Sequence, residues 1–443
     1  MAQTNTWRAR RINFMHRFHA RKAARTAIDT SFLRPPEPRT IGLVECGEQL
    51  IRGNFLFSGL RIDGPQKSIW EIAEAHPEVS DEIHEFRWLD HLAAIGDEHA
   101  TKRAQAWVFS WLDRYGNGRN GGWTPGVTGN RLIRMINHSA FILKGHNKAT
   151  AAKLLTSLGQ QTLFVSRRWK TPQPGIRRFE ALAGTIHASL ALKELAQHAD
   201  PAITALGQEC QTYISANGAI ANRNPEELLE TLRLLNWSVV AMKLAEKNVP
   251  EAIPDAIGRI VPSLRGLRHT DGGLARFHGG GHGVQGRLDE ALVSSGVKSL
   301  PPTDLNMGYA RLTGGRTSLI ADAARPPDGE ASADAHASTL AFELTSGRRQ
   351  LIVNCGSGAR FGNEWRRGAE LLKGAPTEVK CNILDISGGS MLELSHNGYQ
   401  PSRGLTHART LQLSVDGRNL ECEDLLLTLD EADEARFDQA QES

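Results

Sequence analysis

A histidine and an asparagine frame the segment of this chain that is most suggestive of chemistry. His336 precedes an alternating apolar stretch, residues 340–344, and Asn354 follows a second apolar stretch, residues 351–353. Gly347, between the two stretches, is typical of a tight turn, so the spacing predicts a β-hairpin. Because antiparallel pairing brings the start of one strand beside the end of the next, we expect His336 and Asn354 to be neighbours. They could form part of a site, or they could only satisfy backbone groups of the turn.

The composition is that of a large globular protein. The chain has 443 residues, of which 40% are hydrophobic, and this length favours two domains. Its formal net charge of +3 at pH 7 hides an uneven distribution. Residues 421–442 are mostly acidic, whereas cations crowd the start of the chain: Arg8, Arg10, Arg11, Arg17, Arg21, Lys22 and Arg25.

The basic N-terminal segment, residues 1–40, has several interpretations. No recognised nucleic-acid-binding module with interleaved aromatic residues follows it, so we expect no nucleic-acid partner. Its arginines could contact an anionic sugar polymer, but a solvated amphipathic helix is the favoured interpretation. Either end of the chain could also be a solvated tail.

The cysteines predict neither a disulfide framework nor a zinc site. They are odd in number, widely spaced and without a CxxC pair, so we expect free thiols. No apolar run near the start is long enough for a secretory signal, and none approaches the roughly 20 residues that span a bilayer. These absences favour a soluble intracellular protein without a transmembrane segment.

Hydrophobic periodicity divides the chain into a helical part and a β-rich part. Apolar residues recur at intervals of three and four, which predicts helices at 82–92, 104–112, 132–143, 151–166, 181–197, 202–214, 225–246 and 250–264. Glycine breaks in residues 42–64 predict a small β-ribbon or an extended lead-in. After residue 305 the alternation predicts strands at 308–312, 317–321, 379–386, 390–395 and 411–415, in addition to the hairpin. The expected fold class is α+β with more than one domain.

The segment that contains the hairpin resembles the C-terminal signature of the heparinase II/III-like polysaccharide lyases, roughly H-x-H-x-D-x-L-S-F-E-L, a glycine turn and L-L-V-D-x-G. Asp334 stands at the position of the first family histidine, and His336 matches the second. Ser338 replaces the next aspartate, and Asn354 replaces an aspartate that helps to bind zinc in some members. Since only His336 persists among the family's zinc ligands, the resemblance implies no metal here.

The resemblance covers nearly the whole chain and implies its architecture. After the basic segment, an incomplete (α/α) toroid is expected over residues 41–300 and a truncated antiparallel β-sandwich over residues 301–443, with a substrate cleft between them. The sandwich is short for the family. We expect a deletion after residues 365–367 and a missing C-terminal end, which would leave edge strands unpaired.

One tryptophan is a candidate for sugar binding. Residues 120–125 resemble a Trp-Pro loop whose aromatic residues line a sugar groove in the family. Trp123 could therefore stack on a sugar ring, or it could belong to the core. For Trp88 and Trp107 we favour the core.

Uronate lyases need a group that neutralises the C6 carboxylate, a base for the C5 proton and an acid for the departing oxygen. The resemblance places an Asn-His pair before a Leu-Leu-Glu helix, and here Arg177 and Arg178 stand in that place, followed by Glu180. Either arginine could bind a carboxylate, but neither is suited to be the base. Alternatively, the two form a surface pair at the start of a helix.

The tyrosine that serves as base in the family is absent. Its segment resembles residues 218–228, where Arg223 is followed by Glu226 and Glu227, and we expect these carboxylates to complement a helix dipole. Four other side chains are then candidates for proton transfer: His187, His278, His282 and Tyr309. Of these, His278 and His282 flank three glycines, which would let a substrate approach closely.

The resemblance therefore implies a heparinase II/III-like protein that acts on uronate-containing acidic polysaccharide by β-elimination. The alternative is a non-catalytic protein that binds an acidic glycan or serves as a scaffold in the cell envelope. Turnover should be slow or absent, and no cofactor is implied. Catalytic candidates are Arg177, Glu180, Arg223, Asp334 and His336, and substrate-binding candidates are Trp123, Arg178, Arg276, His278 and Asn354. The characterised lyases of the family work in the cell envelope, whereas the missing signal sequence favours the cytoplasm, and both locations stay open.

Overall fold

The computed structural model describes residues 7–40, 42–64, 67–119, 121–356 and 375–441. They form two compact units. Unit 1 comprises Met1–Gln211 and Leu234–Pro254, and unit 2 comprises Thr212–Arg233 and Asp255–Ser443. Domain boundaries at residues 40 and 300 stay a prediction.

The described residues between 7 and 244 are mostly helical. Their helices are α1 (Trp7–Ala24), α2 (Val44–Arg52), α3 (Ile69–Ala75), α4 (Pro77–His84), α5 (Arg87–Ile95), α6 (Glu98–Arg114), α7 (Pro125–Asn137), α8 (Ser139–Leu143), α9 (Lys148–Arg168), α10 (Ile176–Ala191), α11 (Ala199–Tyr213) and α12 (Pro225–Leu244). A hairpin of β1 (Asn54–Phe57) and β2 (Leu60–Asp63) interrupts them. Helix α12 begins in unit 2 and ends in unit 1.

The core of unit 1 is rich in aromatic side chains that surround a buried arginine. Trp88, Trp111 and Trp123 are at most 4% exposed. The Arg131 guanidinium lies 4.1 Å from the centroid of the Trp111 ring and donates to Gln161 Oε1 at 2.8 Å. Because its charge faces aromatic rings and hydrogen-bond acceptors, this arginine can lie fully inside the core.

Helices α7 and α10 pack against each other through glycines. Gly129 on α7 faces Gly184 on α10, and a β-carbon at either position would collide with the backbone of the other helix. Such close contact requires residues without a side chain at the crossing point. It fixes the start of α10, where Arg177 and Glu180 lie.

Unit 2 contains two four-stranded antiparallel sheets. One has the order β3 (Tyr309–Gly314), β4 (Thr317–Asp322), β5 (Phe342–Ser346), β6 (Arg349–Ile352), and the other the order β10 (Leu420–Leu427), β9 (Leu405–Ser414), β8 (Gly389–Tyr399), β7 (Val379–Ile386). Leu312 and Leu319 of the first sheet share a core with Leu392 and Leu411 of the second. The sheets therefore form a β-sandwich. The remaining helices are α13 (Ala252–Gly266), α14 (Arg287–Ser294), α15 (Gln400–Arg403) and α16 (Glu431–Gln441).

The predicted elements agree with the structure, apart from their exact ends, except at four places. The helix predicted at 82–92 is divided into α4 and α5, because Phe86 has a left-handed φ of +62. The helix predicted at 132–143 is divided at His138 into α7 and α8. The β-ribbon prediction was wrong for residues 44–52, which form α2, because Gly47 lets that helix approach the backbone of His91. The acidic end is not only a tail, since it supplies strand β10 and helix α16. The deletion predicted after residues 365–367 lies outside the described residues.

Candidate functional site

Six of the ten predicted site residues lie in two polar clusters, one in each unit. In unit 1, the carboxylate cluster comprises Glu85, Arg177 and Glu180. In unit 2, the histidine cluster comprises Arg223, His278, Asp322, His336 and Asn354. The idea that residues of both clusters share one cleft stays a prediction.

The carboxylate cluster is two buried glutamates joined by one arginine. Arg177 Nη1 contacts Glu85 Oε1 and donates to Glu180 Oε2 at 3.1 Å. Both glutamate side chains are 2% exposed, whereas the Arg177 side chain is 46% exposed. On the other side, Arg87 Nε donates to Glu85 Oε2 at 2.8 Å. The arrangement holds a partly accessible guanidinium over two carboxylates that solvent does not reach.

The two carboxylates differ in protonation because their surroundings differ. Burial raises the pKa of Glu180 to about 7, although Arg177 opposes this shift. Burial acts in the same direction on Glu85, but the Arg87 and Arg177 guanidiniums outweigh it and lower the pKa of Glu85 to about 2. Near neutral pH, Glu85 is therefore ionised while Glu180 is partly protonated.

Local backbone geometry explains why the cluster forms. Gly175, the residue before α10, has φ +136, a conformation that favours glycine. Gly126 on α7 leaves room for the acid, because a β-carbon there would lie 2.7 Å from Glu180 Oε2. The neighbouring Arg178 has a structural role, since it donates to Glu209 Oε2 at 3.0 Å and to the Pro172 carbonyl.

In the histidine cluster, the Arg223 guanidinium is enclosed by acceptors. It donates to the carbonyls of Met307 at 2.9 Å, Arg325 at 2.7 Å and Gly308 at 3.0 Å. Its Nη2 also contacts the carboxylate of Asp322, which is fully buried. Arg223 is thus a buried structural cation, and its backbone has a left-handed φ of +55.

Asp322 is the centre of the histidine cluster. Its Oδ2 accepts a hydrogen bond from Ser338 Oγ at 2.5 Å, and His278 Nε2 lies 3.3 Å from the same oxygen. Burial alone would raise the pKa of Asp322, but His278 and Arg223 hold it below its ordinary value. The aspartate therefore stays ionised in a solvent-free position.

His336 is the second imidazole of the histidine cluster. Its ring centroid lies 5.3 Å from that of His278, and its Nε2 lies 3.1 Å from Asn354 Oδ1. Burial lowers the pKa of His336 to about 4, so its ring is neutral at pH 7. The Glu343 carboxylate accepts the Asn354 backbone N–H at 2.8 Å, which fixes the end of the hairpin.

The other candidates for proton transfer have polar partners close to them. Tyr309 is 1% exposed and donates its hydroxyl to the Arg223 carbonyl at 2.5 Å. Burial raises its pKa well above the ordinary value. His187 is within 2.9 Å of Asn137 Oδ1, and burial lowers its pKa to about 4. His282 lies 3.0 Å from Asp271 Oδ2.

Trp123, Arg276 and Asp334 have different environments. Trp123 is 4% exposed and donates its indole N–H to the Tyr115 carbonyl at 2.8 Å, so the groove interpretation was wrong and the core interpretation holds. Burial likewise places Trp88 and Trp107 in the core. Arg276 donates to Gln350 Oε1 at 2.6 Å at the surface. Asp334 packs on the glycine-rich loop, because a β-carbon at residue 279 would lie 2.8 Å from its Cβ.

Sequence reasoning missed the acids that organise both clusters. Glu85 and Asp322 belong to no motif in the sequence. Glu343 lies in the Phe-Glu-Leu of the hairpin, which belongs to the family pattern, but it was not predicted as a site residue. Over the described ranges, no group of three His, Cys, Asp or Glu side chains is placed to hold a metal ion. All five cysteines are thiols rather than disulfides, as predicted.

Comparison with known proteins shows a family match in the C-terminal part of the chain. Residues 302–372 and 373–439 match the model of the family "Heparinase II/III-like, C-terminal". The C-terminal part of the chain is therefore similar to heparinase II/III-like proteins. FtsZ-localized protein C of Caulobacter vibrioides (strain NA1000 / CB15N) is 28% identical to it over 430 residues, which cover 89% of this chain and 73% of that relative.

Solved structures show the fold of this chain. A heparinase III crystal structure matches 96% of the chain and 77% of its own length, with a TM-score of 0.59 and 14% identity. Heparan sulfate lyase HepC from Pedobacter heparinus, in a mutant form, matches 95% of the chain and 74% of its own length, with a TM-score of 0.52 and 15% identity. The predicted fold of a helical toroid followed by a β-sandwich is confirmed. No helix among the described residues is long and apolar enough to cross a membrane.

Proposed function

We propose that this protein binds a uronate-containing acidic polysaccharide and that its β-elimination is slow or absent. The observation that carries the proposal is the contrast between Arg177, which is half-exposed, and Arg223, which is enclosed. Arg177 is therefore accessible to a polyanion. Arg223, in the segment that lacks the tyrosine base, is not.

Arg177 can hold a sugar carboxylate without leaving its place. Its Nη1 faces Glu85 and Glu180, and a guanidinium carries three further N–H groups on Nη2 and Nε. Charge-assisted pairing of these groups with a C6 carboxylate would be bidentate. Near neutral pH, the proton on Glu180 reduces the competing negative charge beside Arg177. Binding should therefore weaken as Glu180 ionises.

The groups that could transfer a proton are poorly suited to elimination. Tyr309 is buried with a strongly raised pKa, and the pKa of His336 is about 4. An efficient base has a pKa near the working pH and reaches the proton that it removes. Because both conditions fail here, we expect the rate of β-elimination to fall by more than the removal of any one of these groups would lower it.

The test separates binding from turnover. The purified protein is incubated with heparan sulfate, alginate and other uronate polymers, and the ultraviolet absorbance of the conjugated C4–C5 double bond is followed while calorimetry measures affinity. We expect measurable binding without turnover at ordinary enzyme rates of about 1–10³ per second. Turnover in that range would overturn the slow-elimination part, and absence of binding to every polymer would overturn the whole proposal.

A non-catalytic role at the location of FtsZ is the second candidate. It is favoured by the name of the relative that aligns with 89% of the chain, FtsZ-localized protein C. A fluorescent fusion should then overlap with FtsZ in bacterial cells, and a uniform distribution would count against this role. The location in the cell envelope or the cytoplasm stays a prediction.

A further inference from the structure

Helix α1 has one face on unit 1 and one aromatic face in the solvent. His16, Ala20 and Ala23 form the buried face. On the opposite side, Trp7 is 77% exposed, Phe14 67% and Phe18 51%. These aromatic residues are spaced seven and four apart, so they form a single stripe along the helix.

The buried face holds α1 firmly in place. Arg168 Nε donates to His16 Nδ1 at 3.3 Å, and the His16 ring meets the Phe164 ring with centroids 6.1 Å apart. Gln160 Nε2 donates to the carbonyls of Ala24 at 2.9 Å and Thr26 at 3.1 Å. Because α1 is anchored by these contacts, its fold does not require the exposed aromatic stripe.

The same helix is strongly cationic. It contains no aspartate or glutamate, and the Arg11 guanidinium lies 5.9 Å from the centroid of the Trp7 ring. Its exposed basic residues, together with the one that follows its end, are Arg8, Arg10, Arg11, Arg17, Arg21, Lys22 and Arg25. An aromatic stripe bordered by arginines complements a surface in which negatively charged groups cover an apolar layer.

We propose that α1 is an interfacial helix that binds the surface of an anionic lipid bilayer. Trp7, Phe14 and Phe18 insert between the lipids, while the arginines contact phosphate groups. Charge complementarity alone would also suit a nucleic acid or an acidic polysaccharide. The stripe argues against these, because it runs from Trp7 to Phe18 along about 16 Å of helix axis and its two phenylalanines offer no hydrogen bonds to a polyanion. This inference is independent of the proposed glycan binding.

The experiment is co-sedimentation of the full chain with vesicles. Vesicles of phosphatidylglycerol and phosphatidylethanolamine are compared with vesicles of phosphatidylcholine, at low and high salt. We expect binding to the anionic vesicles alone and weakening with salt. The triple variant Trp7→Ser/Phe14→Ser/Phe18→Ser should bind the anionic vesicles at least about tenfold more weakly. The single variant Trp7→Ser should show a smaller loss in the same direction.

A matched control removes exposed apolar side chains elsewhere. Val293 and Leu300 are 80% and 85% exposed in unit 2, and Val293→Ser/Leu300→Ser should leave vesicle binding unchanged. Full binding by the triple variant, or no binding of the unmodified chain to anionic vesicles, overturns the proposal. If the unmodified chain binds DNA or heparin but no vesicle, and the triple variant loses that binding, the surface belongs to a polyanion and the proposal is wrong.

Discussion

His336 and Asn354 meet at one end of the β5–β6 hairpin, with 3.1 Å between His336 Nε2 and Asn354 Oδ1. An amide oxygen accepts hydrogen bonds but carries no negative charge, so the imidazole that faces it donates Nε2–H and remains neutral. His336 Nδ1 and Asn354 Nδ2 are buried without a hydrogen-bond partner among the described residues. The pair is thus a hydrogen bond between neutral groups.

The first prediction is that the protein contains no stoichiometric zinc. An amide is a weak ligand compared with a carboxylate, and His336 is the one family ligand that persists. Metal analysis of protein purified without chelators should find well below one zinc per chain. One equivalent that disappears in a His336→Ala variant would contradict this prediction.

The neighbouring positions of His336 and Asn354 could be predicted because they depend on local patterns. Alternating apolar residues and one glycine turn determine the hairpin, and antiparallel pairing of its strands then brings His336 and Asn354 together. The helices of unit 1 were predictable for a similar reason, since their apolar period is local. The family resemblance added the order of the two parts, which no local pattern contains.

The organising acids could not be predicted in this way. Glu85 reaches Arg177 across 92 residues, and Asp322 reaches Arg223 across 99. Nothing in the sequence around an acidic residue says that it will be buried opposite a distant arginine, because the burial follows from packing of whole elements. For the same reason Trp123 resembled a groove residue although it is needed in the core around Arg131.

The second prediction concerns the structural role of Arg223. Arg223→Ala leaves the buried Asp322 carboxylate and three carbonyls without their donor. We expect the free energy of unfolding to fall by about 3–5 kcal/mol, as it does when one partner of a buried ion pair is removed. Urea unfolding followed by circular dichroism measures it.

Arg418→Ala is the control for Arg223→Ala. The Arg418 side chain is 88% exposed, so its removal should change stability by less than about 0.5 kcal/mol. Equal stability of the Arg223→Ala variant and the unmodified chain would refute the structural role and return Arg223 to the list of available substrate ligands.

The third prediction follows from the raised pKa of Glu180. A carboxyl that binds its proton more tightly in the folded state makes the folded protein less stable as pH rises. The loss should occur between about pH 4.5, near the ordinary value, and about pH 7. A Glu180→Gln variant cannot ionise, so its stability relative to the unmodified protein should rise by up to about 3 kcal/mol between pH 5 and pH 8.

Glu98→Gln is the control for the pH experiment. The Glu98 side chain is 79% exposed, so the substitution should leave the dependence of unfolding on pH almost unchanged. Parallel stability curves for Glu180→Gln and the unmodified chain, measured by urea unfolding at several pH values, would show that Glu180 does not titrate in this range.

The last prediction tests Arg177 as the residue that binds an acidic sugar. Removal of its guanidinium in Arg177→Ala should weaken binding of uronate oligosaccharides by about 1.5–3 kcal/mol, the usual contribution of a charge-assisted hydrogen bond, which is roughly a 10- to 150-fold loss of affinity. Arg177→Lys should recover only part of it, because an ammonium cannot form the bidentate contact. Titration calorimetry at two salt concentrations measures both effects.

Arg61→Ala, whose side chain is 72% exposed in the same unit, serves as the matched control and should bind normally. Since Glu85 loses one of its two guanidinium partners in Arg177→Ala, the thermal unfolding of each variant is recorded beside its affinity. Unchanged affinity and unchanged salt dependence in a folded Arg177→Ala protein would remove this residue from the binding site.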